Sequence, residues 1–322
     1  MKKVIISAAI LLSAMTLASS CKEDNDTPVT DTTELVTPAI SARITEQVSQ
    51  DQPFTGILEI YPCNYGTSTY YGNYINGAQM IFGGYYTIVK GDVFGDNNRE
   101  IHLPIGDYTM IYWGTPKHEE PIDNKPAISE PGLTEGADLS DLYFSLKPYG
   151  DGTYRPTYDL VHAIQDISIG EEDLEAPLMR VTAGLQINLR QEDGSVFSDD
   201  ITSIRAEIGG IAEKINFFTA EAENMTKIVR FDLQKSEDGK LMSNPTVMLF
   251  PSSESPQLDL YITLKDGSIH KASQALRSTL SANTLLTLDI TVGKILPEIN
   301  PGDFTITDWN EANETINFPV IE

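Results

Sequence analysis

Cys21 is the side chain of this sequence whose position most directly predicts a reaction. Three small residues, Ala18 to Ser20, lie directly before it, and the apolar stretch from Val4 to Leu17 follows a basic start of two lysines. These features are typical of a secretory signal peptide, and the apolar stretch is too short for a spanning helix, which needs about 20 predominantly apolar residues. We therefore expect residues 1–20 to be a lipoprotein signal peptide. The Cys21 thiol would take a diacylglyceryl group, and its freed amine an acyl chain such as palmitate.

The segment behind Cys21 bears on where the protein is displayed. Residues 22–26, with the sequence KEDND, resemble the export signal of lipoproteins that one group of Gram-negative bacteria displays outside the outer membrane. Residues 21–38 are rich in Asp, Glu, Thr and Pro, which is typical of a disordered tether. We expect a protein held in the outer membrane by its lipid and exposed at the cell surface. The alternatives are a periplasmic orientation, or an ordinary signal peptide with an incidental cysteine.

The other side chains that could do chemistry show no catalytic or metal-binding pattern. His102, His118, His162 and His270 are scattered and lack the spacing of metal ligands. The sequence has no G-x-S-x-G elbow for a serine nucleophile and no Gly-rich phosphate loop. Because there are 47 Asp and Glu residues, acidic pairs do not indicate a glycosidase. We predict no catalytic residue, no metal site and no cofactor, and we expect that the protein is not an enzyme.

Charge and cysteine content narrow the class of partner. The formal charge of −25 argues against nucleic acid, whose phosphates attract Lys and Arg, and against peripheral binding to anionic lipid. Once Cys21 is acylated, Cys63 is the only thiol left. No intramolecular disulfide is then possible, so the fold must depend on burial of apolar side chains.

Aromatic residues offer a different binding function. Tyr70 and Tyr71 lie in a Tyr-rich stretch that begins at Tyr65, and Trp113 follows later in the chain. Exposed Tyr and Trp rings can stack on sugar rings, so Tyr70, Tyr71 and Trp113 are a candidate glycan platform of a surface glycan-binding lipoprotein. The structural alternative is a Tyr-rich loop that packs over the edge of a β-sandwich.

Short β-rich stretches, separated by Gly, Pro, Asn and Asp, make up the rest of the chain. They predict strands and turns, with no long helical period. Lys265 to Ser268 is the clearest hairpin turn, and Glu192 to Gly194 is a second hairpin signal. The predicted strands are Ala39 to Val48, Thr55 to Tyr61, Gln79 to Val89, Glu100 to Leu103, Tyr108 to Trp113, Ala163 to Ile169, Val181 to Leu189, Ile201 to Ile211, Ile228 to Leu233, Thr246 to Phe250, Leu258 to Leu264, Ile269 onward and Leu285 to Val292.

The strand series is interrupted by the turn-forming residues Gly170 to Asp173. We therefore predict an all-β protein with two consecutive β-sandwich domains, residues 39–172 and residues 173–322, after the signal and the tether. Length alone also allows a single large sandwich or barrel.

Six motifs carry a resemblance to a known family, and they span nearly the whole chain after the signal. In this order they resemble the fimbrillin-associated family of type V pili, and most of all its FimB-type anchor subunits. The stretch from Leu35 to Tyr61 does not match those anchors closely. The motifs are PIGDYTMIYWG (Pro104 to Gly114), TYDLVHAIQDISIG (Thr157 to Gly170), MRVTAGLQINLR (Met179 to Arg190), LKDGS (Leu264 to Ser268), TLSANTLLTLDITV (Thr279 to Val292) and FTITDWNE (Phe304 to Glu311).

The resemblance implies two transthyretin-like, Greek-key sandwiches and assembly with pilin subunits by strand exchange. A donated strand repairs a sandwich that lacks an edge strand, and it must alternate apolar and polar residues. Near the C-terminus Ile316, Phe318 and Val320 fall on one face of such a strand. The alternative is that this segment completes its own domain's sheet.

The resemblance also draws attention to Arg43. Stalk pilins of the family are cut after an Arg in the first strand, and Arg43 lies within the predicted strand Ala39 to Val48. An anchor would keep that strand and close its own groove, whereas a cut after Arg43 would indicate a fimbrial stalk or tip subunit. The simpler interpretation of Arg43 is an outward-facing charge at a sheet edge.

Overall fold

Alternation of buried and exposed residues organises this chain into strands. In the computed structural model, every second residue of the stretch Gln257–Leu264 is buried, as expected for a strand with one face on a core. The structure describes residues 34–45, 51–96, 98–116, 128–129, 131–293 and 306–315. Within these residues the prediction of an all-β sandwich fold is confirmed, and the helix described is one turn of 3₁₀-helix at Leu139–Asp141.

The first half of the chain contributes the strands up to residue 180. They are β1 (Leu35–Val36), β2 (Ile40–Ile44), β3 (Gln52–Pro53), β4 (Gly56–Asn64), β5 (Asn73–Ile75), β6 (Ala78–Met80), β7 (Gly84–Val89), β8 (Asp92–Val93), β9 (Leu103–Pro104), β10 (Gly106–Pro116), β11 (Ile128–Ser129), β12 (Tyr143–Leu146), β13 (Val161–Ile169) and β14 (Leu174–Arg180).

The second half contributes nine further strands among the described residues. They are β15 (Ala183–Gln191), β16 (Ile201–Asn216), β17 (Ala222–Lys235), β18 (Met242–Ser243), β19 (Val247–Leu249), β20 (Gln257–Leu264), β21 (Ile269–Ala275), β22 (Thr284–Val292) and β23 (Ile306–Thr315).

Eight strands form the first sheet, in the order β14-β13-β10-β4-β7-β8-β2-β3. The strand β14 also pairs with β2. The strands β14, β13, β10, β4, β7, β8 and β2 therefore form a closed ring of paired strands. The inward residues of these strands build one hydrophobic core, in which Leu58, Ile60, Met110 and Tyr112 are fully buried. Closure matters because an open sheet edge exposes unpaired backbone groups that invite another strand.

Eleven strands form the second sheet, with the main order β11-β12-β16-β17-β18-β15-β22-β23. The long strands β16 and β17 form an antiparallel ribbon with a bulge near Ile211, and β20 and β21 extend it. The strand β15 runs parallel to β22. Leucine, isoleucine and valine side chains of β15, β16, β17, β20 and β22 pack together in a second core.

The two cores do not divide the chain at one position. Trp113 of β10 and Phe144 of β12 belong to the second core, whereas Leu174 and Leu178 of β14 belong to the first. From Glu34 onward the chain clusters as one unit. The predicted division into domains of residues 39–172 and 173–322 stays a prediction.

The structure corrects four details of the predicted elements. Of the predicted strand Glu100 to Leu103 only Leu103 is in a strand, as the first residue of β9. The stretch Gln79 to Val89 is interrupted at Ile81–Gly83, so it forms parts of two strands, β6 and β7. Residues 192–194 form a turn in which the Gly194 amide donates to the Gln191 carbonyl at 3.0 Å. That turn does not close a hairpin, because β15 pairs with β22 and not with β16. The strand β14 was not predicted, because Pro177 interrupts its sequence pattern.

Candidate strand-exchange site

The strand β2 is the element on which the strand-exchange hypothesis depends. It runs parallel to β14, with Ile40 opposite Leu174 and Ile44 opposite Leu178. On its other edge it pairs antiparallel with β8 and β3. Backbone hydrogen bonds of 2.8 Å (Leu174 amide to Ala39 carbonyl) and 2.7 Å (Thr45 amide to Leu178 carbonyl) close the two ends of the parallel ladder. The first described strand of substantial length is therefore held on both edges.

The inward face of β2 completes the first core. Ala42 and Ile44 are buried, and Ile40 packs against the same cluster from a partly buried position. Their neighbours on β14 are Leu174 and Leu178, which are also buried. Removing β2 would expose these side chains together with the unpaired backbone of β14, which is the kind of groove that a donated strand fills.

Gly91 allows β7 and β8 to approach β2. Its carbonyl accepts a hydrogen bond from the Ala42 amide at 2.9 Å. A Cβ at this position would lie 3.3 Å from the Ala42 carbonyl oxygen, and the backbone φ is +92°. Only glycine adopts that conformation readily without crowding the strand.

Arg43 points outward from β2. Its guanidinium lies 3.0 Å from the Asp51 carboxylate and 3.1 Å from the Glu175 carboxylate. Because all three side chains are substantially exposed, each pair contributes less than about 1 kcal/mol. The backbone at Arg43 is opposite Pro53 on one side and Pro177 on the other, so Arg43 lies inside the sheet and not at its free edge. The sequence alone did not indicate Asp51 and Glu175 as its partners.

The C-terminal strand β23 pairs antiparallel with β22 over its described length. Thr315 is opposite Thr284, and Ile306 is opposite Val292. The predicted donor residues Ile316, Phe318 and Val320 lie outside the described residues, as does Cys21. The last described residue of β23 is Thr315, from which the predicted donor segment continues.

The three residues of the candidate glycan platform do not form one exposed surface. The Tyr70 side chain is buried, and its hydroxyl donates to the Ile81 carbonyl at 2.7 Å. Trp113 is buried too, with its indole N–H donating to the Phe217 carbonyl at 2.9 Å. Tyr71 is partly buried and packs edge-on against Tyr108 with ring centres 5.2 Å apart. Two of the three rings therefore fill the interior and have no face free for a sugar ring.

The Trp113 ring is part of a buried cluster of aromatic side chains. It packs against Phe144 at 4.7 Å and against the His162 imidazole at 4.6 Å, measured between ring centres. His162 is buried, and this burial lowers the pKa of its imidazole to about 4, a shift that a hydrogen bond to the Phe218 backbone partly opposes. The imidazole is therefore neutral at physiological pH and acts as a core residue.

Burial also determines the reactivity of the one cysteine that the structure describes. Cys63 is a free thiol with no exposed surface. Burial, and secondarily the nearby Asp138 carboxylate, raises the pKa of this thiol to about 12. A thiol at that pKa is protonated and unreactive at neutral pH.

A buried ion pair that the sequence did not reveal joins β14 to the loop before β13. The Arg180 guanidinium donates to both oxygens of the Asp159 carboxylate, each at 2.8 Å, and has no exposed side-chain surface. The Asn283 side chain accepts a further bond at 3.3 Å, and the Thr182 hydroxyl donates to Asp159 at 3.1 Å. The one available signal was an arginine leading the predicted strand Val181 to Leu189.

Possible metal ligands are scattered over the part of the chain that the structure describes. No group of three or more His, Cys, Asp or Glu side chains among them could hold a metal ion. Hydrogen bonds from Ser140 and Thr153 lower the pKa of Asp138 and of Asp151, respectively, so these two surface carboxylates are ordinary anions. Within the same part of the chain, no helix is long and apolar enough to cross a membrane.

A protein-family model matches most of the chain. Residues 33–315 match the model of the fimbrillin-A-associated anchor proteins Mfa1 and Mfa2. A search of curated proteins gives no match.

Solved structures with the same fold include three bacterial surface proteins. The fimbrial anchor protein Mfa2 from Porphyromonas gingivalis is 10% identical, and the match covers 88% of this chain and 100% of that one with a TM-score of 0.53. A candidate adhesin from Bacteroides ovatus is 12% identical, with coverage of 86% and 95% and a TM-score of 0.52. A candidate polysaccharide-binding protein from Bacteroides thetaiotaomicron is 12% identical, with coverage of 86% and 98% and a TM-score of 0.51. At these identities the likeness establishes the fold alone.

Proposed function

Because the chain belongs to the family of fimbrillin-A-associated anchor proteins Mfa1 and Mfa2, we propose that it is the anchor subunit of a fimbrium. Acylated Cys21 holds it in the outer membrane, with the folded part exposed at the cell surface. Its C-terminal residues Ile316, Phe318 and Val320 join a neighbouring pilin by strand exchange.

The pairing of β2 on both edges is the observation that supports the anchor role most directly. A subunit that accepts a donated strand must first lose its own, whereas in this chain β2 fills that position and buries Ala42 and Ile44. A subunit that keeps β2 has no vacancy in this sheet for a donated strand. It can still donate a strand of its own, so it suits the end of a fibre, where one neighbour is missing.

The test compares the native N-terminus in two fractions, the outer membrane and sheared surface fibres, by mass spectrometry. We expect acylated Cys21 in the membrane fraction, with the Arg43–Ile44 bond intact and pilin co-purifying. A new terminus at Ile44 in sheared fibres would instead identify a stalk or tip subunit. Lipidated protein without any pilin would contradict a fimbrial role and favour a separate surface-binding function.

A further inference from the structure

A cleft lies where the start of β13 and the end of β14 meet loops of the second sheet. It has a volume of about 760 Å³, and His162, Ile164, Pro177 and Met179 line it from the first sheet. We call it the β13–β14 cleft. These four side chains share one face, because His162 is opposite Met179 in the antiparallel ladder and the other two lie two residues further along each strand. His162 is 6% exposed, whereas Ile164 is 46% and Met179 45% exposed. The histidine therefore forms part of the floor, and the two apolar side chains form part of the rim.

Two buried polar atoms of the cleft are unsatisfied within the described part of the chain. The His162 Nε2 and Thr45 Oγ1 atoms are buried and have no hydrogen-bond partner there, and both residues line the cleft. Such atoms are rare in folded proteins, because leaving a buried polar atom without a partner is costly. A hydroxyl or amide group would suit both, since a threonine hydroxyl donates and accepts, and Nε2 of a neutral imidazole does one or the other according to its tautomer.

The rest of the lining favours an uncharged ligand with an apolar body. Ala220, Pro251 and Leu280 supply apolar wall from the side of the second sheet. Arg180 is the one lining residue with a permanent charge, and its guanidinium already donates to both oxygens of the Asp159 carboxylate. Among the lining residues that the structure describes, none is acidic. An anion would have to compete with Asp159, and a cation would find no carboxylate.

The turn that carries Ala220 is strained where it borders the cleft. Ala220 has a φ of +60°, a left-handed conformation that glycine and asparagine adopt more readily than alanine. Its amide donates to the Asn216 carbonyl at 2.9 Å. The Asn216 side chain accepts bonds of 2.9 Å from the amides of Phe218 and Thr219. Hydrogen bonds around Asn216 therefore hold this backbone in place, and held strain of this kind is concentrated at binding sites.

We propose that the β13–β14 cleft binds a small uncharged molecule that has an apolar body and a hydroxyl or amide group. The body packs against Ile164, Met179 and Leu280, and the polar group bonds to His162 Nε2 and Thr45 Oγ1. A cavity of several hundred Å³, with mainly apolar walls and a few polar groups, is typical of small-molecule sites. This inference goes beyond the anchor role, which assigns lipid attachment and strand donation to other residues.

The test titrates the full lipidated protein with phenol and follows the side-chain methyl signal of Met179 by NMR. A Met179→Leu variant identifies that signal, because it alone should disappear. We expect phenol to shift the Met179 signal until the site is saturated. Anisole, which has a methyl group in place of the hydroxyl hydrogen, should bind roughly tenfold more weakly. Benzoate should also bind more weakly than phenol, because its charge must be buried without a free cation.

Conservative variants test the two unsatisfied atoms. His162→Phe and Thr45→Val each remove one of them and keep most of the side chain's bulk, so each should weaken phenol binding roughly tenfold. Thr157→Val is the matched control, because Thr157 Oγ1 is also buried without a partner in the described part of the chain, but Thr157 does not line the cleft. It should bind phenol as the wild type does. Circular dichroism checks that each variant is folded, and Thr45→Val remains decisive if His162→Phe does not fold.

The outcomes distinguish a ligand site from a hydrated cleft. If phenol leaves the Met179 signal unchanged, or if anisole binds as tightly as phenol, water satisfies the two atoms and the proposal is overturned. Equal phenol affinity in Thr45→Val and Thr157→Val would overturn it too, as would benzoate binding as tightly as phenol. If purified pilin shifts the Met179 signal and phenol does not, the cleft binds a protein instead. None of these results bears on the anchor proposal, which is tested by the acylation of Cys21 and the co-purification of pilin.

Discussion

A single side chain can affect the stability of the fold strongly where it pairs with a buried charge, as Arg180 does with Asp159. Replacing Arg180 with Ala would leave the Asp159 carboxylate without its cation beneath the surface. We expect the free energy of unfolding to fall by about 3–5 kcal/mol. Urea denaturation measures this, and Arg190→Ala is the control, because the Arg190–Asp289 pair is half-exposed and contributes less than about 1 kcal/mol. Equal losses in the two variants would contradict this account.

His162 should make the fold sensitive to acid. Its folded pKa of about 4 lies below the ordinary value of 6.5, so the unfolded chain binds the proton more tightly. The stability contribution is therefore complete above pH 6.5 and is lost as the pH falls towards 4, to a limit of about 3 kcal/mol.

The difference between two variants isolates this effect from the titration of carboxylates. We expect His162→Phe to show a flatter fall in urea midpoint between pH 6.5 and pH 4 than the wild type. The matched control His270→Gln alters a partly exposed histidine on β21 and should keep the wild-type slope. An unchanged slope in His162→Phe would show that burial of this imidazole does not contribute to acid sensitivity.

Cys63 should be chemically silent in the folded protein. Its thiol is fully buried and has a pKa of about 12, and only the thiolate reacts with alkylating reagents. Iodoacetamide at pH 7.5 should leave the folded, lipidated protein unmodified at Cys63 and label it fully in urea, as read by peptide mass spectrometry. Rapid labelling in buffer would mean that the sheet around β4 opens readily.

At the scale of elements, the pairing of β2 predicts resistance to proteolysis. A protease must draw an extended segment into its active site, but both edges of β2 are occupied. We expect an arginine-specific protease to leave the Arg43–Ile44 bond of the folded protein intact. Ala42→Asp, which places a charge at a buried position, should free the strand and permit the cut.

Ser41→Asp is the control for this experiment. It adds the same charge one residue further from the Arg43–Ile44 bond, but Ser41 is only partly buried. Terminal sequencing of the products would reveal Ile44 as a new terminus. If wild-type protein is cut as quickly as Ala42→Asp, β2 is not held as its pairing indicates.

The elements also show what sequence patterns could and could not reveal. Strands such as β20 and β22 were predictable, because they alternate between core and solvent, and the turn at Lys265 to Ser268 does join β20 to β21. The parallel pairing of β2 with β14 was not predictable. It joins segments more than 130 residues apart, and neither strand's own pattern specifies its partner. Aromatic residues were equally ambiguous, because Tyr70 and Trp113 fill a core with the same side chains that bind sugars.

At the scale of the whole molecule, an anchor must hold lipid at one end of its chain and a pilin at the other. In the sequence, Cys21 comes before the described strands and the segment from Ile316 to Val320 comes after them. Lipid attachment and pilin binding should then be separable by mutation, since the proposed function assigns them to different residues.

Phe318→Asp tests that separation. A charge on the apolar face of the donor segment should prevent its insertion into a pilin groove, because a buried unpaired carboxylate costs several kcal/mol. We expect membranes carrying this variant to keep acylated Cys21 and to lose pilin, as quantified by immunoblotting after shearing. Asn317→Asp places the same charge on the opposite, polar face of the segment and should retain pilin. Loss of pilin in both variants would point to a general effect of charge. Retention in both would move strand donation away from this segment, while the lipid on Cys21 would still hold the protein in the membrane.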